Sequence, residues 1–130
     1  MSNNQTLQFA PNFILLYVSN PRHSCEFYSS LLGCTPIEQS DTFAMLPLGS
    51  GVMLGLWSKD TVQPTATATG GGTELAMTLD SKAAVDVAYQ AWSQRGWPIA
   101  QTPCDMDFGY TFVALDPDGH RLRVFVPTEQ

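Results

Sequence analysis

The chain has 130 residues, 44% hydrophobic content and three cysteines, enough apolar material to bury one core without staples, so a single domain over 1–130 is expected. A formal charge of −6 and a pI near 4.5, with no Lys/Arg cluster, argue against nucleic acid and anionic membrane surfaces as partners. Cys25, Cys34 and Cys104 are odd in number and show no C-x-x-C spacing, and there is neither a basic leader nor a run of about 18 apolar residues, which together predict a reduced, cytoplasmic, soluble protein.

Met1 to Ala10 is polar and aperiodic, a frayed end by pattern. Phe13 to Val18 is apolar on both faces, as for a strand packed on a helix on one side and lining a dry cavity on the other. Asn20 is a candidate N-cap, Pro21 suits the first helical turn, and the pairs Phe27/Leu31 and Tyr28/Leu32 give a helix that stops at Gly33. Short strands are predicted near Thr35 to Gln39, Phe43 to Leu46 and Val52 to Trp57, the last two joined through Gly49-Ser50-Gly51. Residues 59–72, rich in Thr, Pro, Ala and Gly, form a linker. A second strand, Leu75 to Leu79, then feeds a helix capped by Ser81, with an apolar face of Val85, Ala88, Tyr89 and Trp92 and a stop at Gly96. Strands follow near Pro98 to Gln101, Tyr110 to Leu115 and Arg121 to Val126, the last two linked by the tight turn Asp116-Pro117-Asp118-Gly119.

The plan is thus stated twice, roughly 60 residues apart, once over 11–58 and again over 73–127. Two copies are too few to stack as a solenoid, so they predict two half-domains with a cleft between them. The isolated candidates for chemistry are weak. His23 and His120 read as surface or capping residues. Cys25 lacks His and Asp/Asn partners, and Gly70-Gly71-Gly72 lacks the Lys-Ser/Thr of a phosphate loop.

Three features in order carry a family resemblance. They are Asn20-Pro21 with Ser24, Phe27-Tyr28 and Leu32-Gly33; the doubled strand-helix-strand-strand-strand plan; and Asp116-Pro117-Asp118-Gly119-His120 before the last strand. The chain resembles the vicinal oxygen chelate superfamily of glyoxalases, extradiol dioxygenases and bleomycin-binding proteins. That implies an α+β fold of two tandem βαβββ modules whose curled sheets form a cup, commonly within a homodimer. The metal-ligand positions of such enzymes correspond here to Phe13, Gly55, Glu74 and Arg123. Phe, Gly and Arg cannot ligate a divalent metal, so no metal and no cofactor are expected.

Alternation along the strands places Phe13, Leu15, Tyr17, Met53, Gly55, Trp57, Glu74, Ala76, Thr78, Arg121, Arg123 and Phe125 on the cup face. The expected ligand-binding set is Phe13, Tyr17, Met53, Gly55, Trp57, Glu74, Tyr110, Phe112 and Arg123, and no catalytic residue is expected. Aromatic platforms, a glycine gap and Arg123 suit a flat apolar molecule with an anionic group. Pro11-Asn12, Tyr17 to Asn20, Trp57-Ser58 and Thr111-Phe112 through Arg123-Val124 are similar to phenazine and bleomycin-type resistance proteins. The resemblance implies sequestration of a small aromatic ligand stacked on Trp57, with Glu74 and Arg123 within salt-bridge reach. A metal-dependent lyase or dioxygenase is the competing reading.

Overall fold

The computed structural model describes residues 7–129; the first six residues and Gln130 lie outside it, and with them most of the expected frayed end. Strand β1 (Phe13–Val18), helix α1 (Pro21–Leu32) and strands β2 (Glu38–Gln39), β3 (Phe43–Gly49) and β4 (Val52–Ser58) make the first module. Strand β5 (Glu74–Thr78), helix α2 (Lys82–Gln94) and strands β6 (Ile99–Met106), β7 (Gly109–Leu115) and β8 (Arg121–Pro127) make the second. Each module is one four-stranded sheet, in the orders β1-β4-β3-β2 and β5-β8-β7-β6. In both, the first strand runs parallel to the fourth, because the helix carries the chain across before the last three strands return as antiparallel neighbours.

Local chemistry accounts for both helices. Asn20 accepts from the His23 backbone N–H and Ser81 accepts from that of Ala84, so each helix start has a capped donor. Gly33 ends α1 in the left-handed region at φ 64°, as its position implied. Helix α2 stops at Gln94, with Arg95 still helical and Gly96 at φ 82° making the turn.

One core lies under α1, built from Leu16, Val18, Cys25, Tyr28, Ala44, Leu46, Leu54, Leu56 and Leu122. The other lies under α2, from Val85, Phe112, Ala114 and Val124, with Tyr89 and Trp92 packed on it. Leu122, Leu75, Met77 and Trp92 reach the first core from the second module, so the halves share apolar packing on the helical side. Two expectations are corrected here. Thr35 to Gln39 forms strand only over Glu38–Gln39, since Pro36 offers no ladder donor. His120 is buried and its Nε2–H donates to the Tyr17 carbonyl at 3.1 Å, because the turn before β8 folds onto the end of β1 rather than into solvent.

Candidate ligand-binding site

Register assigns the faces. Phe13 pairs with Met53, Leu15 with Gly55 and Tyr17 with Trp57 across β1 and β4, and Phe43 pairs with Trp57 across β3 and β4. Directly paired residues project to the same side, so these form the face opposite α1. There Phe13, Leu15, Phe43 and Trp57 line a hollow of about 460 Å³. Phe13 is 43% and Leu15 44% exposed, on the edge strand β1. Tyr17 meets Trp57 edge to face, with centroids 6.4 Å apart and planes at 82°, which fixes the indole at the rim. Met53 sits beside Phe13, half-buried.

Gly55 is not the open gap expected of it. A Cβ there would stand 2.5 Å from Leu15 Cδ2 and 3.0 Å from ring atoms of Phe13 and Phe43. The missing side chain lets the hollow's own residues settle onto the sheet, so the space at Gly55 is already filled.

The second sheet carries a polar wall of its own, on its open face. Arg123 meets Glu74 in a bidentate fork, Nε to Oε1 at 2.7 Å and Nη2 to Oε2 at 2.9 Å, as the strand pairing of β5 with β8 allows. Its Nη1 donates to Gln101 Oε1 and Thr111 Oγ1, both at 3.2 Å, and the guanidinium lies 5.5 Å from the Phe108 ring, itself edge-on to Phe125. The hydrogen bond from Arg123 holds the Glu74 carboxyl below its ordinary range, and the same bond raises the Arg123 guanidinium. Arg123 and Glu74 side chains are 17% and 30% exposed, within reach of a ligand.

Tyr110 and Phe112 do not belong to this wall. They alternate with Thr111 and so point toward α2, where the Tyr110 hydroxyl donates to Asp86 Oδ1 at 2.6 Å, a bond that pushes the phenol up to about 12. Phe112 is fully buried, with its centroid 5.5 Å from Tyr89 and 5.3 Å from Trp92. Phe43, Gln101 and Phe108 were missed. Carrying the two-residue alternation through β3 and β6 identifies Phe43 and Gln101; Phe108 lies in the β6–β7 turn and has no periodic signal.

The metal-ligand positions of the resembled enzymes hold a phenyl ring, no side chain, and a carboxylate locked to a guanidinium. That donor set does not fit a divalent metal. Among the described residues no group of three His, Cys, Asp or Glu side chains is placed to hold one. The cysteines are free thiols, and burial pushes the Cys25 thiol up, away from nucleophilic use. No helix among the described residues is long and apolar enough to cross a membrane.

Comparison with known proteins agrees with this fold. The model of the Glyoxalase/Bleomycin resistance protein/Dioxygenase superfamily matches residues 10–124. The phenazine antibiotic resistance protein EhpR of Enterobacter agglomerans is 28% identical over 117 residues, which cover 88% of this chain and 89% of that protein. The solution structure of protein ATC0852 from Agrobacterium tumefaciens is 46% identical, with a TM-score of 0.83, over 94% of this chain and all of that one. A glyoxalase/bleomycin resistance protein/dioxygenase from Nocardioides is 25% identical with a TM-score of 0.80, over 97% of this chain and 88% of that one.

Proposed function

The chain belongs to the glyoxalase/bleomycin resistance protein/dioxygenase superfamily, and from that premise we propose that it binds a small planar aromatic compound without transforming it. It acts as a metal-free, cytoplasmic resistance protein by sequestration, with a phenazine-like ligand. The observation that carries this reading is the open hollow of Phe13, Leu15, Phe43 and Trp57 on a sheet whose metal-ligand positions are Phe13 and Gly55. Apolar walls with one ordered indole favour stacking of a flat ring system, and nothing at those positions could activate it. Similarity to a phenazine resistance protein supports the same ligand class.

The working unit is a homodimer. In a single chain the hollow of the first sheet stays open, with Phe13 and Leu15 both more than a third exposed and Met106 and Phe108 likewise exposed in the second module. An aromatic-lined half and a polar half each lack a roof, and a second copy offers one to both at once through a two-fold interface.

Titration of the purified protein with phenazine and related planar antibiotics, read by quenching of tryptophan fluorescence, tests the reading. Saturable quenching that is lost in Trp57→Phe supports it. Stoichiometric zinc, nickel, manganese or iron whose removal abolishes an activity would replace it with the metal-dependent lyase or dioxygenase.

A further inference from the structure

Arg123 is the cation that alternation puts on the open face of the second sheet, yet nearly all of its hydrogen-bonding capacity is committed within the protein. A guanidinium has five N–H donors. Two go to Glu74 at 2.7 and 2.9 Å, one to Gln101 and one to Thr111, both at 3.2 Å. One Nη2 N–H is left, whereas a carboxylate held in a fork needs two. A ligand carboxylate approaching it would also stand beside the carboxylate of Glu74, which the same arginine keeps ionised, so like charges would meet at close range. The expectation that Arg123 receives an anionic group therefore gives way.

What the wall leaves available is different. Glu74 accepts two bonds from Arg123, and a carboxylate has about four acceptor sites, so its remaining lone pairs can take a ligand donor. Gln101 Oε1 accepts from Arg123, while its Nε2 donates to Met106 Sδ at 3.4 Å, a weak acceptor that a ligand oxygen readily replaces. One strong acceptor and one redirectable donor thus flank the same guanidinium.

We propose that this wall selects an uncharged aromatic ligand carrying a donor-acceptor group such as a carboxamide, its N–H taken by Glu74 and its carbonyl by Gln101 Nε2, and that it discriminates against the corresponding carboxylate. Arg123 is a positioning residue, holding the Glu74 and Gln101 side chains in place through its fork. The proposal rests on the reading of the site as aromatic-binding and assigns the ligand's polar end.

The test is fluorescence titration of the intact protein with phenazine-1-carboxamide and phenazine-1-carboxylate at neutral pH, where the acid is ionised. The wild type binds the carboxamide tighter by about ten-fold or more, the scale of one hydrogen bond to a charged group. Glu74→Gln removes the negative charge and releases the guanidinium, so the preference inverts toward the carboxylate. Gln101→Leu, which leaves the ion pair intact, weakens carboxamide binding several-fold with carboxylate binding unchanged. Tighter carboxylate binding by the wild type overturns the proposal, as does an unchanged preference in either variant when both probes bind. If neither probe quenches, the aromatic-binding reading falls and this assignment falls with it.

Discussion

Trp57 is partly exposed at the rim of the hollow, outside both buried cores, and meets Tyr17 edge-on, so its removal should leave the fold standing. Trp57→Ala is expected to weaken binding of a planar ligand by about 1–3 kcal/mol, from lost aromatic area and stacking. Calorimetry with the ligand, alongside a urea melt, checks both halves of that statement; unaltered affinity would make the indole a bystander. Gly55→Ala has the opposite character. Its added Cβ meets the far ends of Leu15, Phe13 and Phe43, flexible side chains on an open face, so they move aside. Stability should fall by no more than about 1 kcal/mol while the hollow changes shape and ligand affinity drops. The Glu74–Arg123 pair predicts a pH signature. Glu74 is depressed in the folded state, so its contribution is present above the ordinary carboxylate value and is lost as pH falls through the lower folded one. The stability gap between the wild type and Arg123→Met should therefore be flat near neutrality and close only in acid below about pH 4, near the unfolded glutamate value.

At the scale of elements, the turn before β8 does more than reverse the chain. Asp116 accepts from the Tyr28 hydroxyl at 2.7 Å and from the backbone N–H groups of Asp118 and His120, both at 2.8 Å. Asp118 accepts from the Ser19 N–H at 2.9 Å and its hydroxyl at 2.6 Å, at the start of α1. With His120 on the Tyr17 carbonyl, this turn is a clasp that fastens the second module to the end of β1 and the first turns of α1. Burial, reinforced by the Asp116 carboxylate, pushes the Tyr28 phenol well up, so it stays a donor at every working pH. Tyr28→Phe removes one partner of a buried carboxylate and should cost about 1–3 kcal/mol in a urea melt. A cost near zero would mean that water replaces the phenol and that the clasp adds little. The turn itself was legible in Asp116-Pro117-Asp118-Gly119, but its target was not, because residues 88 apart in the chain share no local pattern. The same holds for Gly70, read as part of a linker. A Cβ there would lie 2.7–2.8 Å from the Gly119 and His120 backbone, so the chain passes too close to the clasp for any side chain.

For the whole molecule, open aromatic and polar half-cups predict association. Sedimentation at micromolar concentration should give a dimer, and a monomer there would separate the site from any partner copy. Duplication, both helix caps and the alternation that places Phe13, Trp57, Glu74 and Arg123 on open faces were readable from residue order, since caps and two-residue periodicity act over a few positions. That Phe13, Gly55 and Arg123, at the positions the family resemblance assigns to metal ligands, bring no metal-donor atoms follows from side-chain chemistry alone. Tertiary structure decided the rest. It turned Tyr110 and Phe112 onto α2, filled the space at Gly55 with Leu15 and two rings, and buried His120 under Tyr17. Above all, it tied Arg123 to Glu74, Gln101 and Thr111 together, so that four of its five N–H donors are used within the protein. Those outcomes depend on which strands lie side by side and on which donors find acceptors first, distances between remote residues that no local pattern encodes.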